Sequence, residues 1–310
     1  MNAIEFSGVS KRYGSIAALS SVSFGVEHGE MFGLIGPDGA GKTTSIRALC
    51  GLLHIDAGAI RVLGKDPIAQ HRAVTGTVGY LSQRFSLYGD LSIDENIAFF
   101  AEIHGVTDYK ARRERLLAMT QLTPFRARLA DQLSGGMKQK LALACTLVHE
   151  PQVIVLDEPT TGVDPVSRRE FWKLLSQFLA QGITILMSTP YLDEAERCSR
   201  IALLHEGRLL ALDTPGALRS SLTGTLFEVI VADSRAALDA LASSGLDSVQ
   251  VFGDRLHIWL HEDDEGAARR QLDAAFTASQ VTPASLRTIV PSLEDVFISR
   301  LATAQKAPVS

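Results

Sequence analysis

The segment GPDGAGKTT, residues 36–44, could bind a phosphate chain. It contains the pattern G-x-x-x-x-G-K-T, and it lies between an apolar run that is typical of a strand and a segment with helical spacing. Gly36, Gly39 and Gly41 permit backbone conformations that are closed to other residues, so successive N–H groups can face a phosphate. The start of the following helix adds partial positive charge. An ordinary glycine-rich turn would explain the glycines alone, but not this combination.

Two side chains of this loop have predicted roles of their own. Lys42 would reach the β and γ phosphates of a nucleotide, and the Thr43 hydroxyl would ligate Mg²⁺. The residues predicted to contact the nucleotide here are Gly36, Pro37, Asp38, Gly39, Ala40, Gly41, Lys42, Thr43 and Thr44. We therefore expect ATP and Mg²⁺ as cofactors.

The run VIVLDEP supplies carboxylates after an apolar strand. Asp157 ends that strand, where its carboxylate can meet Mg²⁺ through water. Glu158 follows directly and would polarise the attacking water as general base. An adjacent acid pair after a strand is often only a solvated loop, but the phosphate-binding loop upstream favours a catalytic role.

The run LSGGMKQK, residues 133–140, indicates a second anion site. Ser134 can cap the helix that begins here, and Gly135 and Gly136 let a phosphate approach the backbone. One nucleotide does not need two such sites. The pattern therefore suggests that two copies share nucleotides across an interface.

Strands and helices alternate in the first two thirds of the chain, which predicts an α/β core with a largely parallel sheet. Residues 1–30 are predicted to form short strands with a turn at Gly14. Residues 94–122 have a helical pattern that is broken near Gly105. PQVIVLDEP has the composition of a buried strand, and residues 167–182 form an amphipathic pattern that ends at a glycine.

The chain changes character near residue 219. Residues 219–310 carry 12 acidic and 8 basic side chains, a net charge of −4. Their predicted element order is βαββαβ, with Gly253-Asp254 as a two-residue hairpin turn, which is typical of a ferredoxin-like domain. We therefore expect two domains, residues 1–218 and a small α+β domain over 219–310.

Composition narrows the class of protein. The 310 residues carry 30 Lys and Arg against 35 Asp and Glu, and 46% of them are hydrophobic. The mean hydropathy of +0.12 is high, yet the longest apolar run, LALACTLV, is far shorter than a membrane span. The N-terminal sequence has no signal-peptide pattern, so we expect a cytosolic chain. The mild excess of acidic residues argues against a nucleic-acid binder. Cys50, Cys145 and Cys198 form no CxxC pair and are expected to be buried free thiols.

Together these motifs resemble the ATP-binding cassette (ABC) ATPases over residues 3–218, with every element in the family's order. The resemblance identifies GPDGAGKTT as Walker A, with Asp38 where Asn is commoner, LSGGM as the signature motif and VIVLDEP as Walker B. It implies that Tyr13 stacks on adenine, that Gln83 senses Mg²⁺ and couples to a membrane partner, and that Asp164 lies in the D-loop. It also implies a P-loop NTPase fold with an antiparallel β subdomain and a helical subdomain at about 84–148. The implied catalytic residues are Glu158, Lys42 and Gln83, and the implied metal ligands are Thr43, Gln83 and Asp157.

The C-terminal residues indicate a subclass of this family. PSLEDVFISRL near the C-terminus is similar to the end of the accessory domain in ATPases that serve ABC-2 type exporters. This implies ABC-2 type permease subunits as partners, a second cassette, and a peripheral position at the cytoplasmic face of the inner membrane. An amphipathic helix without that meaning is the alternative.

The sequence departs from the family at one position. The family follows its last sheet strand with a histidine that touches the γ-phosphate, and Pro190 stands there in STPYLDEAERC. Proline has no donor, although it suits the first position of a helix, where we expect it after Thr189. A lost hydrogen bond to a charged phosphate costs about 1.5–3 kcal/mol, roughly 10- to 150-fold in rate. The chain also resembles the first cassette of tandem-cassette exporter subunits, so we hypothesise pairing with a histidine-bearing cassette.

Two other functions stay open on the sequence. A soluble ABC protein acting on ribosomes or DNA commonly holds two cassettes or a long coiled-coil insertion, and neither pattern occurs here. A regulatory partner that binds nucleotide with little turnover is favoured by Pro190 and disfavoured by Glu158.

Overall fold

The computed structural model describes residues 2–83, 87–241, 244, 246 and 248–306, with side chains up to residue 303. The predicted start of the helical subdomain at residue 84, the end of the predicted helix SRAALDALAS and the chain after 306 lie outside the described residues. The chain divides into two compact units, Met1–Pro215 and Gly216–Ser310. This division falls close to the expected boundary; the role of the second unit stays a prediction.

The strands are β1 (Asn2–Tyr13), β2 (Ile16–Glu27), β3 (Met31–Ile35), β4 (Ala57–Val62), β5 (Val78–Leu81), β6 (Val153–Asp157), β7 (Thr184–Thr189), β8 (Arg200–His205), β9 (Arg208–Asp213), β10 (Thr225–Ile230), β11 (Ser248–Phe252), β12 (Arg255–Leu260) and β13 (Ser285–Thr288). The α-helices are α1 (Lys42–Leu49), α2 (His71–Thr75), α3 (Ile93–Ile103), α4 (Lys110–Thr120), α5 (Gly135–Leu147), α6 (Pro165–Ala180), α7 (Leu192–Ala195), α8 (Pro215–Ser220), α9 (Ser234–Leu241), α10 (Glu265–Ala278) and α11 (Leu293–Lys306).

A six-stranded sheet forms the centre of the first unit, in the order β5-β6-β7-β3-β8-β9. Every pair is parallel except β8 with β9, which confirms the predicted parallel α/β core. All residues of β3, β6 and β7 are buried, as expected for strands whose two faces are both covered. Because the carboxyl ends of parallel strands meet at one edge, β3, β6 and β7 bring their following loops together.

A second, antiparallel sheet in the order β2-β1-β4 packs against this core. Strands β1 and β2 have 12 residues each, longer than the short strands predicted, because bulges let one continuous ladder bend around the core. The rings of Phe6 and Phe24 stack at 4.3 Å, and those of Phe24 and Phe32 at 5.3 Å. This column of aromatic rings joins the antiparallel sheet to β3.

Helices α3 and α4 follow the helical pattern predicted over residues 94–122, with the break at Gly105 confirmed. Ser92 and Glu95 form a capping box that begins α3. The buried Asn96 amide donates to the carbonyls of Tyr88 at 3.0 Å, Leu91 at 3.1 Å and Ser92 at 3.0 Å. These bonds fix residues 88–92, which lead into α3.

The second unit holds a four-stranded antiparallel sheet in the order β11-β12-β10-β13. Phe252 pairs with Arg255, which confirms the two-residue turn at Gly253-Asp254, and Gly253 has the positive φ of 62° that such a turn needs. Apolar residues of β10 and β12 pack with α9 and α10 on one face. The element order is the one predicted, and the ferredoxin-like description stays a prediction.

The three cysteines are free and buried, as predicted. Burial raises the pKa of Cys50 and of Cys198 to about 12, so both thiols stay protonated. Among the described residues, no helix is both long and apolar enough to cross a membrane.

Two histidine rings stack in the first unit. The ring centroids of His104 and His149 lie 3.8 Å apart, and the planes differ by 7°. His149 Nε2 lies 3.2 Å from the Val78 carbonyl oxygen, and its Nδ1 is buried without a hydrogen-bond partner among the described residues. Burial, and to a smaller extent the neighbouring His104, lower the pKa of His149 to about 4.

This pair predicts a pH dependence of stability. Above pH about 6.5 both the folded and the unfolded chain hold His149 neutral, so burying it carries no proton-linked cost. As the pH falls toward 4, the unfolded chain binds a proton that the folded chain excludes, and we expect a loss of about 2 kcal/mol once partial solvent screening is allowed for. His149→Phe should lose less stability than the parent between pH 7.5 and 4.5 in urea unfolding. Equal losses in both proteins would contradict this assignment.

Candidate functional site

The loop between β3 and α1 has the backbone shape that its glycines allow. Gly39 has φ of 79° and Gly41 has φ of 103°, in the region that favours glycine. Gly36 differs from this expectation, because its φ is ordinary and its role is close approach. A Cβ atom at Gly36 would lie 2.3 Å from the carbonyl oxygen of Leu204. Two glycines therefore shape the loop and the third lets β8 pass beneath it.

Lys42 lies under the loop and is 4% exposed. Its Nζ donates to the carbonyl of Gly36 at 2.7 Å and to that of Pro37 at 3.1 Å. It also forms an ion pair with Glu158 Oε1 at 3.1 Å. A buried ammonium group needs such partners, and this set holds a positive charge at the centre of the loop.

Three oxygen-bearing side chains meet where β6 ends. Thr43 Oγ1 donates to Asp157 Oδ1 at 3.1 Å, and Ser188 Oγ donates to the same oxygen at 2.7 Å. The register places Asp157 beside Ser188 on β7. Hydroxyl and carboxylate oxygens are the donors that Mg²⁺ prefers, so Thr43 and Asp157 fit the predicted metal site.

Glu158 follows Asp157 in a strained conformation. Its φ of 48° is unusual for a residue with a side chain and costs free energy. Its N–H donates to Ser188, to the carbonyl at 3.2 Å and to Oγ at 3.0 Å. The turn directs one carboxylate oxygen to Lys42 and the other to Gln83, whose Nε2 donates to Glu158 Oε2 at 3.1 Å. The strain therefore positions a carboxylate between a cation and an amide.

The structure thus brings three predicted catalytic residues into contact: Lys42, Glu158 and Gln83. It joins Gln83 to the carboxylate of Glu158, and the metal-ligating role of Gln83 stays a prediction.

Tyr13 lies at the end of β1 and is 47% exposed. The next strand, β2, passes the phosphate-binding loop, since a Cβ atom at Gly41 would lie 2.6 Å from the Ala18 carbonyl oxygen. The Tyr13 ring is thus exposed at the end of β1, just before the strand that passes this loop. Its stacking on adenine stays a prediction.

The LSGGM segment begins α5, as predicted. Ser134 caps the helix, its Oγ accepting from Met137 N at 3.3 Å. A Cβ atom at Gly136 would lie 2.2 Å from Ser167 Oγ, so the glycine permits close packing on α6, which Asp164 caps. Among the described residues, no hydrogen bond or ion pair joins Ser134, Gly135 or Gly136 to the phosphate-binding loop.

Pro190 occupies a position that differs from the prediction. It lies between the end of β7 at Thr189 and the start of α7 at Leu192, so its expected place as the first residue of a helix is wrong. Thr189 Oγ1 accepts from Tyr191 N at 3.1 Å and donates to Glu194 Oε2 at 2.7 Å. These bonds hold residues 189–191 in a turn, so α7 begins only at Leu192.

Two contributors to the site were missed in the sequence. Ser188 binds the Asp157 carboxylate and the Glu158 backbone N–H, and it could have been found as the residue of β7 beside Asp157. Glu194, 1% exposed, accepts from Thr160 and Thr189, with Arg168 Nε 3.6 Å away. It therefore ties the segment after Glu158 to the end of β7.

Comparison with known proteins indicates the family to which the chain belongs. A family model described as ABC transporter matches residues 19–161. The "Probable multidrug ABC transporter ATP-binding protein YbhF" of Escherichia coli (strain K12) is 47% identical over 229 residues, 72% of this chain but 39% of that protein. The chain therefore spans about two fifths of the length of that relative.

A second relative matches over nearly its full length. The "Nod factor export ATP-binding protein I" of Rhizobium etli is 36% identical over 301 residues, 96% of this chain and 93% of that protein. A solved ATP binding subunit of an ABC transporter superposes with a TM-score of 0.65 at 32% identity, covering 70% of this chain and 92% of its own. The glycine-shaped loop, the carboxylates at the end of β6 and these matches agree: the chain belongs to the ATP-binding proteins of the ABC transporter family.

Proposed function

We propose that this chain is the ATP-binding and ATP-hydrolysing subunit of an ABC-2 type membrane exporter. The observation that carries the proposal is the contact of Lys42, Glu158 and Gln83 beside the glycine-shaped loop. Lys42 and the loop N–H groups would hold the phosphates, and Thr43 and Asp157 would hold Mg²⁺. When bound, Mg²⁺ would neutralise charge on the phosphate oxygens.

Glu158 is the general base in this proposal. Its carboxylate is held on both sides, so it can accept a proton from a water placed at the end of β6. Gln83 orients that carboxylate and occupies the start of the segment that leads into α3. The amide could thereby link the carboxylate to the helical part of the unit.

A second cassette follows from the separation of the two anion sites. The signature residues lie at the start of α5, exposed at Ser134 and Gly135, and among the described residues no bond joins them to the phosphate-binding loop of the same chain. We infer that they complete the nucleotide site of another cassette. Pro190 supports pairing with a histidine-bearing cassette, and it is also the observation that favours the alternative, a nucleotide-binding regulatory partner with little turnover.

The membrane partner is supported by the two named relatives and by an exposed apolar surface. Both relatives are named for multidrug transport or for export. In the first unit Leu52 is 59% exposed and lines a groove together with Val74, Tyr80 and Phe100. Ile103, which is 61% exposed, precedes the groove residue His104 in the chain. Such a surface fits an apolar partner. We propose that the ABC-2 type permease binds there and holds the chain at the cytoplasmic face of the inner membrane.

Lys42→Ala tests the nucleotide site. We expect ATP affinity to fall at least 10-fold, because the phosphates lose a charged donor and Glu158 loses its ion-pair partner. Equilibrium binding of a fluorescent ATP analogue measures this. The control is Lys173→Ala, which removes an exposed lysine of α6 and should leave ATP affinity unchanged.

Unchanged ATP affinity in the Lys42 variant would contradict the proposed nucleotide site.

Fractionation of the tagged native chain tests the membrane partner. The chain should co-purify with membranes, and co-purification with ribosomes would contradict the exporter assignment.

A further inference from the structure

The second unit contains a cavity of about 130 Å³ between its sheet and α11. The sheet face that packs on α9 and α10 is apolar and filled, whereas the opposite face carries polar and aromatic residues beneath α11. This volume is slightly below the roughly 150 Å³ of a cavity that holds benzene, but the cavity is open to solvent on one side, so it can take one ring whose substituent reaches the opening.

One wall of the cavity is aromatic because of the strand register. His257 and Trp259 are two residues apart on β12, so both side chains lie on the same face of the sheet. Their partners on β11 are Gln250 and Ser248, respectively. The register thus places a row of rings beside a row of polar side chains, both lining the cavity.

The polar side chains leave a hydrogen-bond acceptor without a donor. Gln250 Nε2 donates to Ser248 Oγ at 3.3 Å, while Gln250 Oε1 is buried with no partner among the described residues. A buried acceptor of this kind costs free energy unless something donates to it. The amide oxygen therefore indicates a ligand that carries N–H groups.

The electrostatics of the cavity favour a cation. Asp295 of α11 lines it, is 5% exposed and contacts His257 Nδ1 at 2.8 Å. No lysine or arginine occurs among the described residues of the lining. Residues 219–310 carry 12 acidic against 8 basic side chains, which adds a negative field. An aromatic wall also attracts cations through the ring faces.

We propose that the cavity beneath α11 binds a small planar aromatic cation with N–H donors, such as an aryl amidine or a heteroaromatic amine. The ring lies against Trp259, and an N–H group donates to Gln250 Oε1. This site is separate from the nucleotide site, and its occupation requires neither ATP nor a partner chain.

The experiment uses the full chain and three probes of nearly equal shape. Benzamidine is a planar cation with N–H donors, benzamide is its neutral counterpart, and benzoate is an anion without N–H groups. The chain has two tryptophans, and the other one, Trp172, lies on α6 of the first unit. In a Trp172→Phe background, the fluorescence of Trp259 therefore reports the cavity alone, and calorimetry of the parent chain gives an independent affinity.

We expect saturable binding of benzamidine, weaker binding of benzamide, and benzoate affinity at least 10-fold below that of benzamidine. Gln250→Leu should weaken benzamidine binding about 10-fold or more, because the acceptor is lost, whereas Gln250→Glu should strengthen it. Ser299→Leu, which adds volume from α11, should abolish binding. Thermal unfolding of each variant checks that the unit is folded.

A cavity that is only a packing gap would give a different pattern. No saturable binding in the millimolar range, equal affinities for the three probes, or unchanged benzamidine affinity in both Gln250 variants would each overturn the proposal. Because all measurements are made without nucleotide, failure of the exporter assignment would leave these results unaffected.

Discussion

Glu158→Gln is expected to reduce steady-state ATP hydrolysis by a factor of about 10² to 10⁴ while ATP still binds. The amide keeps the size of the carboxylate, and its oxygen can still accept from Lys42. Its NH2 group takes the place of the oxygen that accepts from Gln83, and it can donate to the Gln83 amide oxygen once that amide turns over. It cannot take a proton from the attacking water at neutral pH. The chemical step should therefore fail while nucleotide affinity is retained.

The measurement is phosphate release by the chain, alone and together with its partner cassette, beside equilibrium binding of ATP. Glu206→Gln is the matched control. Glu206 is also a glutamate with a positive φ, 46° against 48° at Glu158, but its side chain is 84% exposed. The control should hydrolyse ATP at the parent rate. Full activity of Glu158→Gln would remove both the general-base assignment and the asymmetry argued from Pro190.

Much of this site could be predicted because its parts are local in sequence. The phosphate-binding loop follows β3, Asp157 ends β6 and Glu158 comes next, so parallel strands bring all three to one sheet edge. Cap residues such as Ser134 are equally local, since one side chain and the next three residues define the geometry.

The contacts that orient the site were harder to predict because they depend on strand order. Asp157 and Ser188 are neighbours only because β6 and β7 are adjacent in the sheet. The bonds of Glu194 likewise connect residues far apart in the chain. The strain at Glu158 is also invisible in the sequence, because nothing in the residue type requires a positive φ.

Pro190 shows how a local rule failed. Proline suits the first position of a helix, but Thr189 uses its hydroxyl both to accept from Tyr191 and to donate to Glu194. These tertiary and local bonds together moved the start of α7 to Leu192. The rule described proline correctly but did not account for the two bonds of the Thr189 hydroxyl.

Pro190→His is expected to raise ATP hydrolysis by the isolated chain by roughly 10- to 150-fold, if the new side chain donates to the γ-phosphate in the transition state only. Position 190 directly follows β7, whose neighbour β6 ends at Asp157, so a side chain there starts from the correct edge of the sheet. The turn at Thr189 should persist, because its bonds involve no atom of Pro190.

Pro190→Ala distinguishes the effect of a new side-chain donor from the effect of removing the proline ring. It removes the ring and restores the N–H, yet it adds no side-chain donor, so its rate should stay near that of the parent. An equal rise in both variants would assign the effect to the proline backbone. In a pair with a histidine-bearing partner, one of the two sites is unimpaired and dominates turnover. The gain in ATP hydrolysis from Pro190→His should then shrink to at most about 2-fold. A large gain in the isolated chain and a small gain in the pair would together support an asymmetric pair of cassettes.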